Sequence, residues 1–155
     1  MVENHFVVNF NRSLSGQEET LNKQSKTLAY IEDEAEMIDL VRLILARHGY
    51  TVLGATGGRE GLELVRKNHP DLVLLDLMMP DMDGWDVYHQ IKSDELTRDI
   101  PVIVITAKAQ KIDKILGLRI AKVEDYISKP FSPQELLERI EQVLSKQGKP
   151  LEQAN

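Results

Sequence analysis

Four strongly apolar segments each end in a polar residue of a different kind. Ile31 runs into Glu32-Asp33, Leu75 into Asp76, Ile105 into Thr106, and Ile127 into Ser128-Lys129. If these segments are strands of one parallel sheet, an acidic pair, a lone carboxylate, a hydroxyl and an ammonium arrive at one edge. Open α/β sheets bind their ligands outside the carboxyl ends of the strands. Carboxylates suit a divalent cation, while a hydroxyl and an ammonium suit phosphate oxygens. Together they describe a phosphoryl site. Asp76 closes the wholly apolar run Leu72-Val73-Leu74-Leu75 and precedes more apolar residues, so its carboxylate is expected to be partly buried. A lone buried carboxylate is costly unless it is paired or bound to metal.

With a strand order of 2-1-3-4-5, strands one and three are neighbours and Asp33 converges on Asp76. Like charges at that range require a cation between them. Mg²⁺ is the natural choice, with hard oxygen ligands and several retained waters. His5, His48, His69 and His89 are scattered and expected on the surface, so they form no rival metal site. Each residue alone has a plainer explanation. Acids at a helix start gain about 0.3–1 kcal/mol from the helix dipole. A single lysine such as Lys129 is ordinarily a surface residue, and Thr106 alone is uninformative. Their arrival at one edge carries the argument.

Two other motifs carry less. The run from Gly54 to Gly61 lies between a strand and a helix, yet it lacks both the G-x-G-x-x-G spacing and the G-K-[ST] of a phosphate loop. Asp81-Met82-Asp83 is a D-x-D, as in haloacid-dehalogenase-like phosphatases. Here Pro80 and Gly84 place it in a loop, so the pair is expected to be turn acids.

The elements that must position these groups follow from the hydrophobic pattern. Strand one is expected at 27–31, then a helix with Met37, Leu40, Val41, Ile44 and Leu45 on its core face and Gly49 as its stop. Strand two is expected at 51–53, with a weaker helix at about 59–67. Strand three has no polar alternation, as suits a strand covered on both faces. A Pro- and Gly-punctuated loop over 78–84 leads to a helix ending near Lys92, with Trp85, Tyr88 and Ile91 turned inward. Strand four is expected at 101–105, a helix around Ile112, Ile115 and Leu116, and strand five at 125–127. Ser132-Pro133-Gln134-Glu135 is a capping box opening a last helix whose stripe is Leu136, Ile140, Val143 and Leu144, fraying after Ser145.

Composition bounds the whole. The chain has 155 residues, 42% hydrophobic and 28% charged, room for one domain plus a tail. Residues 1–26 are polar and expected to be a flexible extension, 27–146 the domain, and 147–155 a flexible tail. A net charge of −6 argues against general nucleic-acid binding. No apolar run is long enough for membrane insertion and no signal peptide is evident. The absence of cysteine suits a reducing cytosol, so a cytoplasmic location is expected.

Glu32-Asp33-Glu34, Asp76 within D-L-M-M-P-D-M-D-G, Thr106-Ala107 and Lys129-Pro130-Phe131 resemble the receiver domain of two-component response regulators. The resemblance covers about 26–146. It implies a flavodoxin-like α/β sandwich, a five-stranded parallel sheet of order 2-1-3-4-5 with five helices. It makes Asp76 the phosphoacceptor. Asp33, Asp76 and the Met78 backbone carbonyl would ligate Mg²⁺, with Glu32 acting through water. Thr106 and Lys129 would bind the phosphoryl group, Thr106 and Tyr126 would form the switch pair, and Lys129-Pro130 would be cis. Met78 and Lys108 fall at positions that tune phosphoryl lifetime in the family. One departure stands out: Lys122-Val123 replaces the usual Gly-Ala before Glu124-Asp125, next to the switching face.

Neither the residues after the last helix nor the polar N-terminal extension offers an output domain, so a stand-alone receiver is expected, not an enzyme beyond catalysing its own phosphorylation and dephosphorylation. A sensor histidine kinase or phosphotransfer protein would load Asp76. A downstream protein at the face of the fourth helix, fifth strand and fifth helix would read it, with a homodimer as another outlet. Three rivals remain at this level. They are a phosphorylation-independent interaction scaffold, an aspartyl-phosphate phosphatase lacking a visible acid/base partner, and a flavin carrier without an evident aromatic-flanked site.

Overall fold

The computed structural model describes residues 26–107 and 123–147. Within them lie β1 (Thr27–Ile31), α1 (Ala35–Ala46), β2 (Thr51–Ala55), α2 (Gly58–Asn68), β3 (Leu72–Leu75), α3 (Gly84–Ser93), β4 (Val102–Thr106), β5 (Asp125–Ser128) and α4 (Pro133–Gln147). The strands form one sheet in the order β2-β1-β3-β4-β5, every pair parallel. Strand order and layering agree with the flavodoxin-like expectation. The helix expected around Ile112, Ile115 and Leu116 lies outside the described residues, as do 1–25 and 148–155.

Side chains alternate across the strands and so build a core on each face. Leu28, Tyr30, Leu72, Leu74, Ile103, Ile105 and Ile127 face one way, covered by Ile38, Val41 and Leu45 of α1 and by Leu136, Ile140 and Val143 of α4. Ala29, Ile31, Val73, Leu75, Val102 and Val104 face the other, under Leu62 and Val65 of α2 and Val87, Tyr88 and Ile91 of α3. β3 is buried at every position, which explains its unbroken apolar sequence.

Register sets the functional edge. Ile31 pairs with Leu75, Leu75 with Val104, and Val104 with Tyr126, so the strands end nearly level. The ladder continues past the strand ends. The Glu32 amide donates to the Ala55 carbonyl, the Asp76 amide to Ile31, and the Lys129 amide to Thr106. The backbones of Glu32, Asp76 and Lys129 are thus fixed by the sheet itself.

Some expectations shift. In α1, Ile38 is buried while Leu40 stands half exposed, so the helix is rotated from the expected stripe. Gly54 of β2 accounts for this: a Cβ there would collide with the Ile38 side chain, and its absence lets Ile38 seat on the sheet. In α3, Val87 is buried and Trp85 only partly so. β2 runs to Ala55 and α4 to Gln147, each two residues beyond the expected end. Gly49 adopts a positive φ of 84° beyond the end of α1, and the Ser132 hydroxyl accepts the Glu135 amide at 3.0 Å. Among the described residues, no helix is long and apolar enough to cross a membrane.

Candidate functional site

The site forms where β1, β3, β4 and β5 end. Glu32 is fully buried. Its Oε2 accepts from the Lys129 ammonium at 2.8 Å and from the Tyr30 hydroxyl at 3.1 Å, and its Oε1 from the Glu34 amide at 3.3 Å. Asp76 is only 3% exposed. Its Oδ1 accepts the Met78 amide at 3.0 Å, and Lys129 Nζ approaches its Oδ2 at 3.4 Å. Asp33 is half-buried, and ligand atoms of Glu32, Asp33 and Asp76 all lie within 4.8 Å of one another.

One ammonium therefore faces three carboxylates. Burial disfavours the charged Lys129, yet its bond to Glu32 and the charges of Asp76 and Glu32 outweigh that, holding its pKa above the usual lysine value. The Tyr30 phenol is pushed far up, first by burial and then by Glu32, so it remains a donor. The uncompensated negative charge and the all-oxygen donor set fit a hard divalent cation such as Mg²⁺. Glu32, Asp33 and Asp76 are the carboxylates that could hold it.

Thr106 adds a hydroxyl. The residue is fully buried, and its Oγ1 is the sole buried side-chain polar atom among the described residues without a hydrogen-bond partner. Leaving such a group unpaired costs about 1–3 kcal/mol. An incoming acceptor, such as a phosphate oxygen, would satisfy the hydroxyl. Tyr126 is half-buried and packs on the Val102–Val104 side of the sheet. Lys129-Pro130 is cis. Met78 is half exposed, beside the acidic pair.

The loop after β3 is anchored twice as it approaches α3. Asp83 caps α3, accepting the Trp85 amide at 2.9 Å. Asp81 accepts the Gly58 amide at the start of α2, at 3.2 and 3.0 Å to its two oxygens. Both D-x-D acids thus lie in the turn where they were expected, but Asp81 also tethers the start of α2, which no local pattern announced. A Cβ at Gly84 would strike the Leu77 backbone and come within 2.8 Å of the Asp76 carbonyl oxygen, so only glycine lets α3 start so close to Asp76.

Sequence reasoning overlooked two residues. Tyr30 lies two positions before Glu32 and so on the same strand face, a spacing that would have signalled the contact. Glu124, beside the Lys122-Val123 departure, accepts the Val102 amide at 2.7 Å and the Lys92 ammonium at 3.3 Å. No local pattern announces that bond. Lys122 itself lies outside the described residues.

The family model described as the response regulator receiver domain matches residues 28–141. The chain belongs to the response-regulator receiver family. Among its relatives, the phosphate regulon transcriptional regulatory protein PhoB of Pseudomonas aeruginosa is 40% identical over 123 residues, covering 79% of this chain and 53% of that protein. The alkaline phosphatase synthesis transcriptional regulatory protein PhoP of Bacillus subtilis is 37% identical, covering 77% and 49%. The receiver thus spans about half the length of these relatives. A solved receiver domain from a Pseudomonas aeruginosa sensor histidine kinase, with magnesium coordinated in its active-site cleft, superposes with a TM-score of 0.71 at 26% identity, covering 78% of this chain and 98% of that one. The receiver's acidic cluster occupies the carboxyl edge of its sheet, where that fold binds ligands.

Proposed function

We propose that this receiver accepts a phosphoryl group on Asp76 from the phosphohistidine of a sensor histidine kinase or phosphotransfer protein. One observation carries the reading: a buried aspartate lies within reach of both an ammonium and two further carboxylates. An Asp76 carboxylate oxygen attacks phosphorus while the phosphorus–nitrogen bond breaks, its electron pair leaving on the imidazole nitrogen. Asp33, Asp76 and the Met78 backbone carbonyl would hold Mg²⁺, with Glu32 behind a water. When bound, Mg²⁺ supplies neutralisation of the transferring group's equatorial oxygens. The magnesium-bearing histidine-kinase receiver supports that assignment by analogy.

Lys129 is placed to turn one of its hydrogens from Asp76 to a phosphoryl oxygen. The Thr106 hydroxyl donates to another, which ends its unpaired state, and Tyr126 follows it inward. The phosphoryl group adds a charge of about −1.5 to −2. That charge biases the switch formed by Thr106 and Tyr126, and the surface carrying β5 and α4 then gains or loses a partner protein or a second copy of the chain. The PhoB- and PhoP-type relatives are named transcriptional regulators, but this chain matches only about half of their length, so that output is not carried over.

Intact-mass measurement with Mg²⁺ and acetyl phosphate or phosphoramidate tests the reading. A single Mg²⁺-dependent phosphoryl adduct, absent in Asp76→Asn, is the expected result. A folded protein that takes no adduct from either donor would overturn it in favour of a constitutive interaction scaffold.

A further inference from the structure

We propose that Tyr30 is a positioning residue of the phosphoryl site: its hydroxyl shares the Glu32 carboxylate with Lys129 and so keeps the ammonium within reach of Asp76. The inference rests on the phosphoacceptor reading of Asp76. Tyr30 is fully buried in the middle of the sheet, among Leu28, Ile38, Leu74 and Ile103. A phenylalanine would fill the same space. What the tyrosine adds is an O–H group, and that group donates to Glu32 Oε2 at 3.1 Å.

Glu32 is a fully buried charge, so each of its lone pairs needs a donor. A carboxylate oxygen offers about two acceptor sites. On Oε2 the phenol takes one and Lys129 the other. The ammonium stands unequally between its acids, 2.8 Å from Glu32 and 3.4 Å from Asp76. Every donor that serves Glu32 weakens its pull on Lys129. Without the phenol, Oε2 has the ammonium alone, and in a buried setting that attraction is strong. Lys129 would settle onto Glu32 and withdraw from Asp76.

Two consequences point in opposite directions. Asp76 loses a positive neighbour, so its carboxylate binds a divalent cation more tightly. The incoming phosphoryl group loses the nearby ammonium, so transfer slows. A general loosening of the site would weaken both together.

The test compares wild type with Tyr30→Phe by NMR titration with Mg²⁺, by phosphorylation with phosphoramidate at saturating Mg²⁺, and by the chemical shift of the Lys129 ammonium. Mg²⁺ should bind about threefold more tightly in Tyr30→Phe. Transfer should be about fivefold slower, and the Lys129 signal should shift. All three differences should vanish when Tyr30→Phe is introduced beside Glu32→Gln, because the phenol acts through the Glu32 charge. Unchanged values, parallel weakening of binding and transfer, or equal effects in the Glu32→Gln background would each overturn the proposal. A wild type that takes no phosphoryl group would sink the phosphoacceptor reading alone. The Mg²⁺ titration and the Lys129 signal would still decide the role of Tyr30.

Discussion

Asp81 holds the backbone amide of Gly58 with both carboxylate oxygens, across 23 residues of sequence. The bond fastens the loop that follows Asp76 to the first turn of α2. Gly57 leaves room for it: a Cβ there would come within 2.8 Å of the Asp81 carboxylate. Asp81→Ala removes a helix cap and should cost about 1 kcal/mol in urea denaturation. Amide hydrogen exchange at Gly58 and through 78–82 should accelerate with it. Gly57→Ala should reproduce the effect by pushing the carboxylate away, while exchange unchanged in both variants would show that the loop needs no such tether.

Glu124 performs two tasks at the start of β5. It accepts the Val102 amide at 2.7 Å and pairs with Lys92 at 3.3 Å, an ammonium that also serves the Ile100 carbonyl at 2.8 Å. Glu124→Ala strands the Val102 amide and should destabilise the fold by about 1–3 kcal/mol. Glu124→Gln keeps an acceptor for Val102 and should cost clearly less. Equal losses in chemical denaturation would mean that the ion pair, rather than the amide, carries the contribution.

Acid should find Asp94. Its carboxyl lies below the ordinary 3.8, first through the Leu96 amide and then through Arg66. The folded state therefore binds the proton more weakly than the unfolded chain does. The contribution to stability is present above the unfolded value and fades as pH falls through the folded one. Asp94→Asn should thus be less stable than wild type at neutral pH, and the two should converge below pH 3.8. Curves that stay parallel across that range would exclude Asp94 as the group responsible.

Mg²⁺ should raise the melting temperature. The carboxylates of Glu32, Asp33 and Asp76 lie within 4.8 Å of one another, and Lys129 pairs with Glu32 and Asp76. A ligand that binds only the folded state stabilises by RT ln(1 + [L]/Kd), about 2.7 kcal/mol at a hundredfold excess over Kd. Thermal denaturation in Mg²⁺ and in EDTA should separate for wild type and merge for Asp33→Asn. A separation that survives the substitution would place the cation elsewhere.

Much of this architecture is written locally in the chain. The polar residues that terminate apolar runs announced Glu32, Asp33, Asp76, Thr106 and Lys129, because in a parallel sheet a strand end is also a site edge. Asp76 was legible as buried from its neighbours alone. The rotation of α1 was not, since Met37-Ile38 and Leu40-Val41 offer two stripes, and the choice depends on Gly54 of a different strand. The Asp81–Gly58 and Glu124–Val102 bonds were equally hidden. Each joins a side chain to a backbone amide more than 20 residues away, and a backbone amide has no letter in the sequence.

Lys129 and Glu32 stand 97 residues apart along the chain, at the ends of strands that are not adjacent in the sheet. Contacts of such long sequence separation form only after much loop entropy has been lost. During synthesis the acids on β1 and β3 leave the ribosome well before their counter-ion does. Until β5 docks beside β4, the nascent chain carries its acidic cluster without the ammonium that balances it. The balanced charge of this edge is therefore a late product of folding, reached only when the last strand is in register.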